Sequence, residues 1–346
     1  ISAALSLLFL ASAHCSAQEP DKRMNVLMII VDDLNHWVGY TERNPQTKTP
    51  NIDRLSAKGV SFTNAHAVAP FCHPSRVATF TGLRPGSTGV YSNGYDWNPE
   101  IVKPGLTMNA AFKAEDYLLY AMGKLGGPSV WTSPLEGEWD DRRKRKKPEN
   151  PLEQFEAFLW PIEADLKDED IGDTHSVDFC IEKLGNKHEK PFFLVCGLVK
   201  PHTPLCVPRK YYDRFPLDDI QLPPHQATDR EDMPEVASHF GATKDHENIL
   251  EVDRWKGGIQ AYLATGNYVD HQIGRLLDAW EESNYLYNTI VVLWSDHGWH
   301  LGEKQCWRKG TLWEEGTRIP YIWHVPGMTP QNTLCDQPVD LLSLYP

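Results

Sequence analysis

The sequence predicts an α/β fold built on a large, mostly parallel sheet, and three observations predict it. Asn25–Val31, Pro191–Cys196 and Thr289–Trp294 are continuous apolar runs. Unbroken rather than alternating hydrophobicity marks strands covered on both faces. Helical patterns lie between these runs, and strands alternating with helices imply parallel neighbours. The first run ends in Asp32-Asp33 and the third in Ser295-Asp296-His297-Gly298. Ligands in such sheets bind beyond the carboxyl ends of strands, so these two polar ends are expected to converge.

The elements follow in chain order. Ala3–Ala13 is an apolar segment followed by small residues and then Gln18-Glu19-Pro20. It reads as a signal peptide over residues 1–17, cleaved after Ala13 or Ala17, and predicts a secreted or periplasmic protein. The remainder, 24–346, reads as one domain. The first strand is followed by a helix with Thr49 as N-cap, Pro50 at its first position and Gly59 at its end. Tyr262, Val269, Ile273, Leu276, Leu277 and Trp280 form the apolar stripe of a second helix leading into the last strand. Two stretches, 128–167 and 201–251, show weak periodicity. The first holds the basic run Arg142–Lys147, which reads as a solvated loop with contact to a polyanion as the alternative. The missing initiator Met and the stop at Pro346, just after apolar Val339–Leu344, read as a clipped, C-terminally truncated chain.

Bulk properties narrow the function. The 346 residues are 41% hydrophobic and 23% charged, ordinary for a globular protein. A net charge of −13 argues against general nucleic-acid binding. Apart from the N-terminal segment, no apolar run approaches a membrane span. The seven cysteines (Cys15, Cys72, Cys180, Cys196, Cys206, Cys306, Cys335) are odd in number and scattered, which is not a disulfide scaffold, and no CxxC pair suggests zinc.

The segment Pro70-Phe71-Cys72-His73-Pro74-Ser75-Arg76, running on to Thr81-Gly82, carries the most chemistry. Pro74 and Ser75 can open a helix at Arg76, leaving Cys72 just ahead of its N-terminus. Free N–H groups and the positive dipole end would face an anion there. Arg76 adds a planar cation suited to oxyanions. Cys72-x-Pro74-Ser75-Arg76, followed by four residues and Thr81-Gly82, resembles the signature of type I sulfatases. In that family this cysteine is oxidised by a separate enzyme to formylglycine. Val31-Asp32-Asp33, Ser295–Gly298 and Trp307-Arg308-Lys309 resemble the family's metal-binding and lysine-bearing segments. Lys200-Pro201-His202-Thr203-Pro204 resembles the histidine motif of the iduronate-2-sulfatase-like branch.

The resemblance implies an alkaline-phosphatase-like sandwich, with a small C-terminal antiparallel subdomain largely missing from this chain. It implies one calcium ion held by Asp32, Asp33, Asp296, His297 and the modified residue 72. The mainly oxygen donor set suits calcium better than zinc. It also implies that hydrated formylglycine attacks sulfur, with Arg76 and the metal stabilising its alkoxide. Lys124, Lys309 and His202 would bind the sulfate and bridging oxygens, and His202 or Lys309 would protonate the leaving alcohol. Partners would be a sulfated carbohydrate, of glycosaminoglycan or algal polysaccharide type, and the formylglycine-generating enzyme. The family commonly has a histidine two or three residues after the lysine matched to Lys124, and this chain reads Leu125-Gly126-Gly127 there. Two alternatives are phosphonate or phosphodiester hydrolysis on the same fold, and glycan binding without catalysis.

Overall fold

A computed structural model describes residues 23–95, 100–103, 105–126, 139–143, 166–238, 241 and 243–345. The expected signal peptide, Lys144–Lys147 of the basic run, and Gly127 lie outside the described residues.

Eight strands form the central sheet. They are β1 (Asn25–Asp32), β2 (Val60–Phe62), β3 (Leu118–Gly123), β4 (Asp141–Arg143), β5 (Phe192–Pro201), β6 (Thr289–Ser295), β9 (Tyr321–His324) and β10 (Thr333–Cys335). A separate hairpin, β7 (His300–Leu301) with β8 (Trp307–Arg308), follows β6. The sheet order is β10-β2-β9-β6-β1-β5-β3-β4. Every pairing is parallel except those of β9 with β6 and with β2. The parallel sheet is as expected; the antiparallel insertion of β9 and the short strands β2 and β10 were not.

β1 is central and wholly buried, with β5 on one side and β6 on the other. Its side chains alternate between two cores. Leu27, Ile29 and Val31 join one, and Val26, Met28 and Ile30 join the other. This is the two-residue period of a strand covered on both faces.

The main helices are α1 (Pro50–Lys58), α2 (Cys72–Thr81), α3 (Met108–Ala114), α4 (Gly172–Gly185) and α5 (Trp255–Glu282). α1 starts and stops as expected, but Thr49 does not cap it with its side chain. The Thr49 hydroxyl instead accepts from Gly39 N at 2.8 Å. The free N–H groups of Asn51 and Ile52 donate to the Asp270 carboxylate of α5, at 3.0 and 2.8 Å. α2 begins at Cys72, four residues before the expected start. Pro74 is tolerated because first-turn N–H groups have no helical partner to lose. Gly82 ends α2 with a left-handed φ of 68°, and its N–H closes on Ala78 O.

Only the first two arginines of the basic run are described. They sit in edge strand β4, where Arg143 pairs with Glu182 at 3.1 Å. Among the described residues no helix is long and apolar enough to cross a membrane.

Candidate active site

The carboxyl ends of β1 and β6 are laced together. Asp296 N donates to Val31 O (3.3 Å), Asp33 N to Asp296 Oδ1 (3.2 Å), and Leu34 N to Ser295 Oγ (3.1 Å). Asp33 adopts a left-handed φ of 63°, a turn that brings its carboxylate back over the strand ends. From α5, Tyr262 props this turn: its hydroxyl donates to Asp33 O and accepts from Asn35 N, both at 2.8 Å. The two acidic ends therefore converge as expected, and the side chains of Asp32, Asp33, Asp296 and His297 are fully buried.

α2 delivers Cys72 to the same point. Ser75 Oγ donates to Asp296 O at 2.5 Å, pinning the first turn of α2 to the loop after β6. Arg76 Nε donates to Asp296 Oδ2 at 2.8 Å and one Nη to Lys124 O at 2.5 Å, while the other Nη lies 3.5 Å from Asp32 Oδ1. Arg76 thus ties three loops together; its nitrogens are committed to the protein's own acceptors. The Cys72 thiol sits among His297 Nε2 (3.3 Å), Lys124 Nζ (3.5 Å) and Lys309 Nζ (2.9 Å). Lys124 also pairs with Asp32, and Lys309 with Asp33 Oδ1 at 2.6 Å. Lys309 leaves hairpin β7–β8 immediately after Arg308, whose left-handed φ of 67° turns the chain.

His202 reaches the site from the end of β5. Its Nε2 stands 3.9 Å from Asp33 Oδ2, and its Nδ1 contacts Thr203 O at 2.7 Å. A carbonyl only accepts, so Nδ1 carries the proton. The same logic applies to His297, whose Nδ1 contacts Gly298 O at 3.0 Å, leaving an Nε2 lone pair facing Asp33 and Cys72.

Burial and paired charge set the protonation pattern. Burial raises the Asp33 carboxyl, with Lys309 opposing. Burial would raise Asp32 too, but the Lys124, Arg76 and Lys309 cations hold it well below the usual range. Burial pushes the Cys72 thiol up to about 12; Asp32 adds to this, and the two lysines do not overcome it. As a thiol, residue 72 is therefore a protonated, poor nucleophile. Partial burial lowers the His202 imidazole, and the Lys124 and Lys309 ammonium groups lower it further, which favours its neutral form.

Among the described residues, ligand atoms of Asp32, Asp33, Cys72 and His297 all lie within 4.8 Å of one another. Asp33 Oδ2 is buried without a hydrogen-bond donor, an uncompensated acceptor of the kind a cation satisfies. Asp296 Oδ1 is 3.6 Å from His297 Nε2, at the edge of this group, while its other oxygen is held by Arg76. The clustered donors are two carboxylates, one imidazole lone pair and residue 72, and the expected ligand Asp296 stands at their margin with both oxygens already accepting from Asp33 N and Arg76; the two carboxylates suit a hard divalent cation.

The chain matches the Sulfatase family model over residues 24–346. The chain belongs to the sulfatase family. It is 37% identical over 356 residues to a sulfatase of Formosa agariphila, covering 95% of this chain and 69% of that one. It is 29% identical over 348 residues to human iduronate 2-sulfatase, covering 92% of this chain and 62% of that protein. The chain thus spans roughly two thirds of the length of these relatives. The fold is similar to that of the phosphonate monoester hydrolase of Agrobacterium radiobacter, with a TM-score of 0.77 at 19% identity over 94% of this chain and 72% of that one. The alkaline-phosphatase-like architecture expected from the sequence is thereby established.

Sequence reasoning missed several supporting groups. Ser75 was read only as part of the helix opening, not as the donor that pins α2 to Asp296 O. Tyr262 was read as core, and nothing local reveals that its hydroxyl reaches Asp33. His300 and Lys304, which flank the metal-binding segment, make structural contacts: His300 Nε2 with Thr311 Oγ1 at 2.6 Å, and Lys304 with Asp229 at 2.6 Å. Cys306 is buried and accepts from Arg230 at 3.0 Å.

Proposed function

We propose that this sulfatase-family chain hydrolyses sulfate esters of a carbohydrate, with residue 72 acting as formylglycine and one calcium ion in the site. The observation that carries this is the meeting of Cys72 with two carboxylate-tipped strand ends and two lysine ammonium groups, each within 3.5 Å of its sulfur. Burial holds a thiol at this point in its protonated form, and formylglycine would put a different nucleophile there. As hydrated formylglycine the residue supplies two geminal hydroxyls, one to attack sulfur and one to let sulfate depart. Asp32, Asp33, Asp296 and His297 would hold the calcium, which supplies charge neutralisation and Lewis acidity.

The side chains then take distinct roles. Three carboxylates (Asp32, Asp33, Asp296) stand against three cations (Arg76, Lys124, Lys309), so the protein groups balance. A divalent ion makes the site net positive and matched to a sulfate ester anion. Lys124 and Lys309 bind the sulfate oxygens and stabilise the charge that shifts onto them. His202, at the open side of the pocket and 31% exposed, faces the leaving alcohol, with Lys309 beside it. Arg76 holds Asp296, Asp32 and the Lys124 loop in register.

A carbohydrate substrate is supported by the names of relatives. Human iduronate 2-sulfatase is one, and an ulvan-active sulfatase of Formosa agariphila is 28% identical over 91% of this chain. Maturation by a formylglycine-generating enzyme and export through the N-terminal segment belong to the same proposal. The test is desulfation of a panel of sulfated oligosaccharides after co-expression with the maturation enzyme. We expect sulfate release from at least one sugar and an aldehyde at residue 72 by peptide mass. Cys72→Ala should lower turnover on the order of 10⁴-fold or more. Faster cleavage of a 4-nitrophenyl phosphonate than of any sulfate ester would overturn the assignment.

A further inference from the structure

The strand that carries His202 is irregular where it meets β1. The register between β1 and β5 pairs Val31 with Leu198 but Asp32 with Pro201, so Val199 and Lys200 form a bulge. A bulge strips backbone N–H groups of ladder partners, and burial makes that costly. Here one side chain takes both: Asp173, fully buried in the first turn of α4, accepts from Val199 N at 2.9 Å and Lys200 N at 2.8 Å. The bulged Lys200 side chain is buried and folds back over its own loop, donating to Pro204 O and, at 3.4 Å, to His202 O. The loop 201–204 is thereby closed like a clasp, and His202 N completes it by donating to Val199 O at 2.8 Å.

We propose that Asp173 and Lys200 are positioning residues that set the His202 imidazole against the leaving-group side of the site. The inference rests on the sulfatase reading above and adds to it two residues outside the catalytic cluster. Lys200 brackets the backbone on both sides of the Nδ1–H···O=C bond between His202 and Thr203. That bond fixes the ring plane and directs Nε2 inward. Without the ammonium, the carbonyls of His202 and Pro204 lose their common donor and the ring is free to swing.

The test compares Lys200→Met, Lys200→Arg and His202→Ala with the double variant Lys200→Met/His202→Ala. Lys200→Met should lower kcat about tenfold or more on a sugar sulfate, and less than twofold when His202 is already alanine. The loss should shrink on 4-nitrophenyl sulfate, whose leaving group needs little help, and Lys200→Arg should restore part of it. An independent readout is the His202 Nδ1–H signal in histidine-¹⁵N-labelled protein, which should be lost or broadened in Lys200→Met and persist in Lys200→Arg. A Lys200→Met loss that is the same with and without His202, or an unchanged Nδ1–H signal, overturns the positioning role. Asp173→Asn, which keeps the shape but can accept only one of the two N–H bonds, should repeat the Lys200→Met pattern in both readouts. A wild-type chain that releases sulfate from no ester overturns the functional reading, and the role in catalysis with it. The NMR comparison still decides whether Lys200 holds the ring.

Discussion

The two ends of β1 and β6 are built on opposite plans. At the carboxyl ends, Asp32, Asp33, Asp296 and His297 are buried and held by Arg76, Lys124, Lys309, Ser75 and Tyr262. Near the amino ends, Val26 and Met28 of β1 and Ile290 and Val292 of β6 line an apolar cavity of about 350 Å³, together with residues of α3 and Trp323. The strands are the same, with β1 buried throughout and β6 buried except for the partly buried Ile290. The contrast teaches where this fold spends its cohesion: hydrophobic burial holds the strands together, and the charged end is assembled at a desolvation cost that mutual pairing offsets.

The largest expected effect follows from that cost. Arg76→Gln keeps hydrogen-bonding capacity but removes the one guanidinium that holds Asp296 and Asp32. It leaves buried carboxylates uncompensated, which typically costs about 3–5 kcal/mol. The urea midpoint should fall accordingly. A loss under about 1 kcal/mol would mean that the lysines alone balance the site and that the two ends of the strands are less different than they look. Next comes metal removal. A ligand that binds only the folded protein and is present at a hundred times its Kd stabilises by about 2.7 kcal/mol. Chelation should therefore lower the melting temperature as well as activity, and calcium should restore both. A melting curve indifferent to chelator would break the proposed role of Asp32, Asp33, Asp296 and His297.

The plan of the charged end was partly legible in the sequence. Continuous apolar runs reveal doubly covered strands because both faces need the same kind of side chain. Acidic residues placed just after two such runs reveal convergence because parallel strands put their carboxyl ends on one side. Cys72 was legible through its motif. What was not legible is long-range. Asp270 satisfies the N-terminus of α1 from 219 residues away, a contact no local signal encodes. Asp173 and Lys200 act through backbone groups of a bulge, and a bulge leaves no compositional mark. β2, β9 and β10 are only three or four residues long, too short for periodicity to register. The early start of α2 was missed because proline was taken to mark the opening of the helix, although any first-turn position tolerates it.

The smallest expected effect probes the other end. Met28 is buried beside the apolar cavity, and its flexible side chain already borders open space. Met28→Leu conserves volume and leaves room to relax, so it should cost less than about 1.5 kcal/mol. Because Met28 and Asp32 sit on one rigid, fully paired strand, the test also asks whether strain travels along β1. If packing at the amino end is absorbed locally, kcat on the best sulfate ester should stay within twofold of wild type while the urea midpoint shifts slightly. A larger fall in kcat with little change in stability would mean that β1 transmits packing changes to Asp32 and Asp33, and that the two ends are one coupled element.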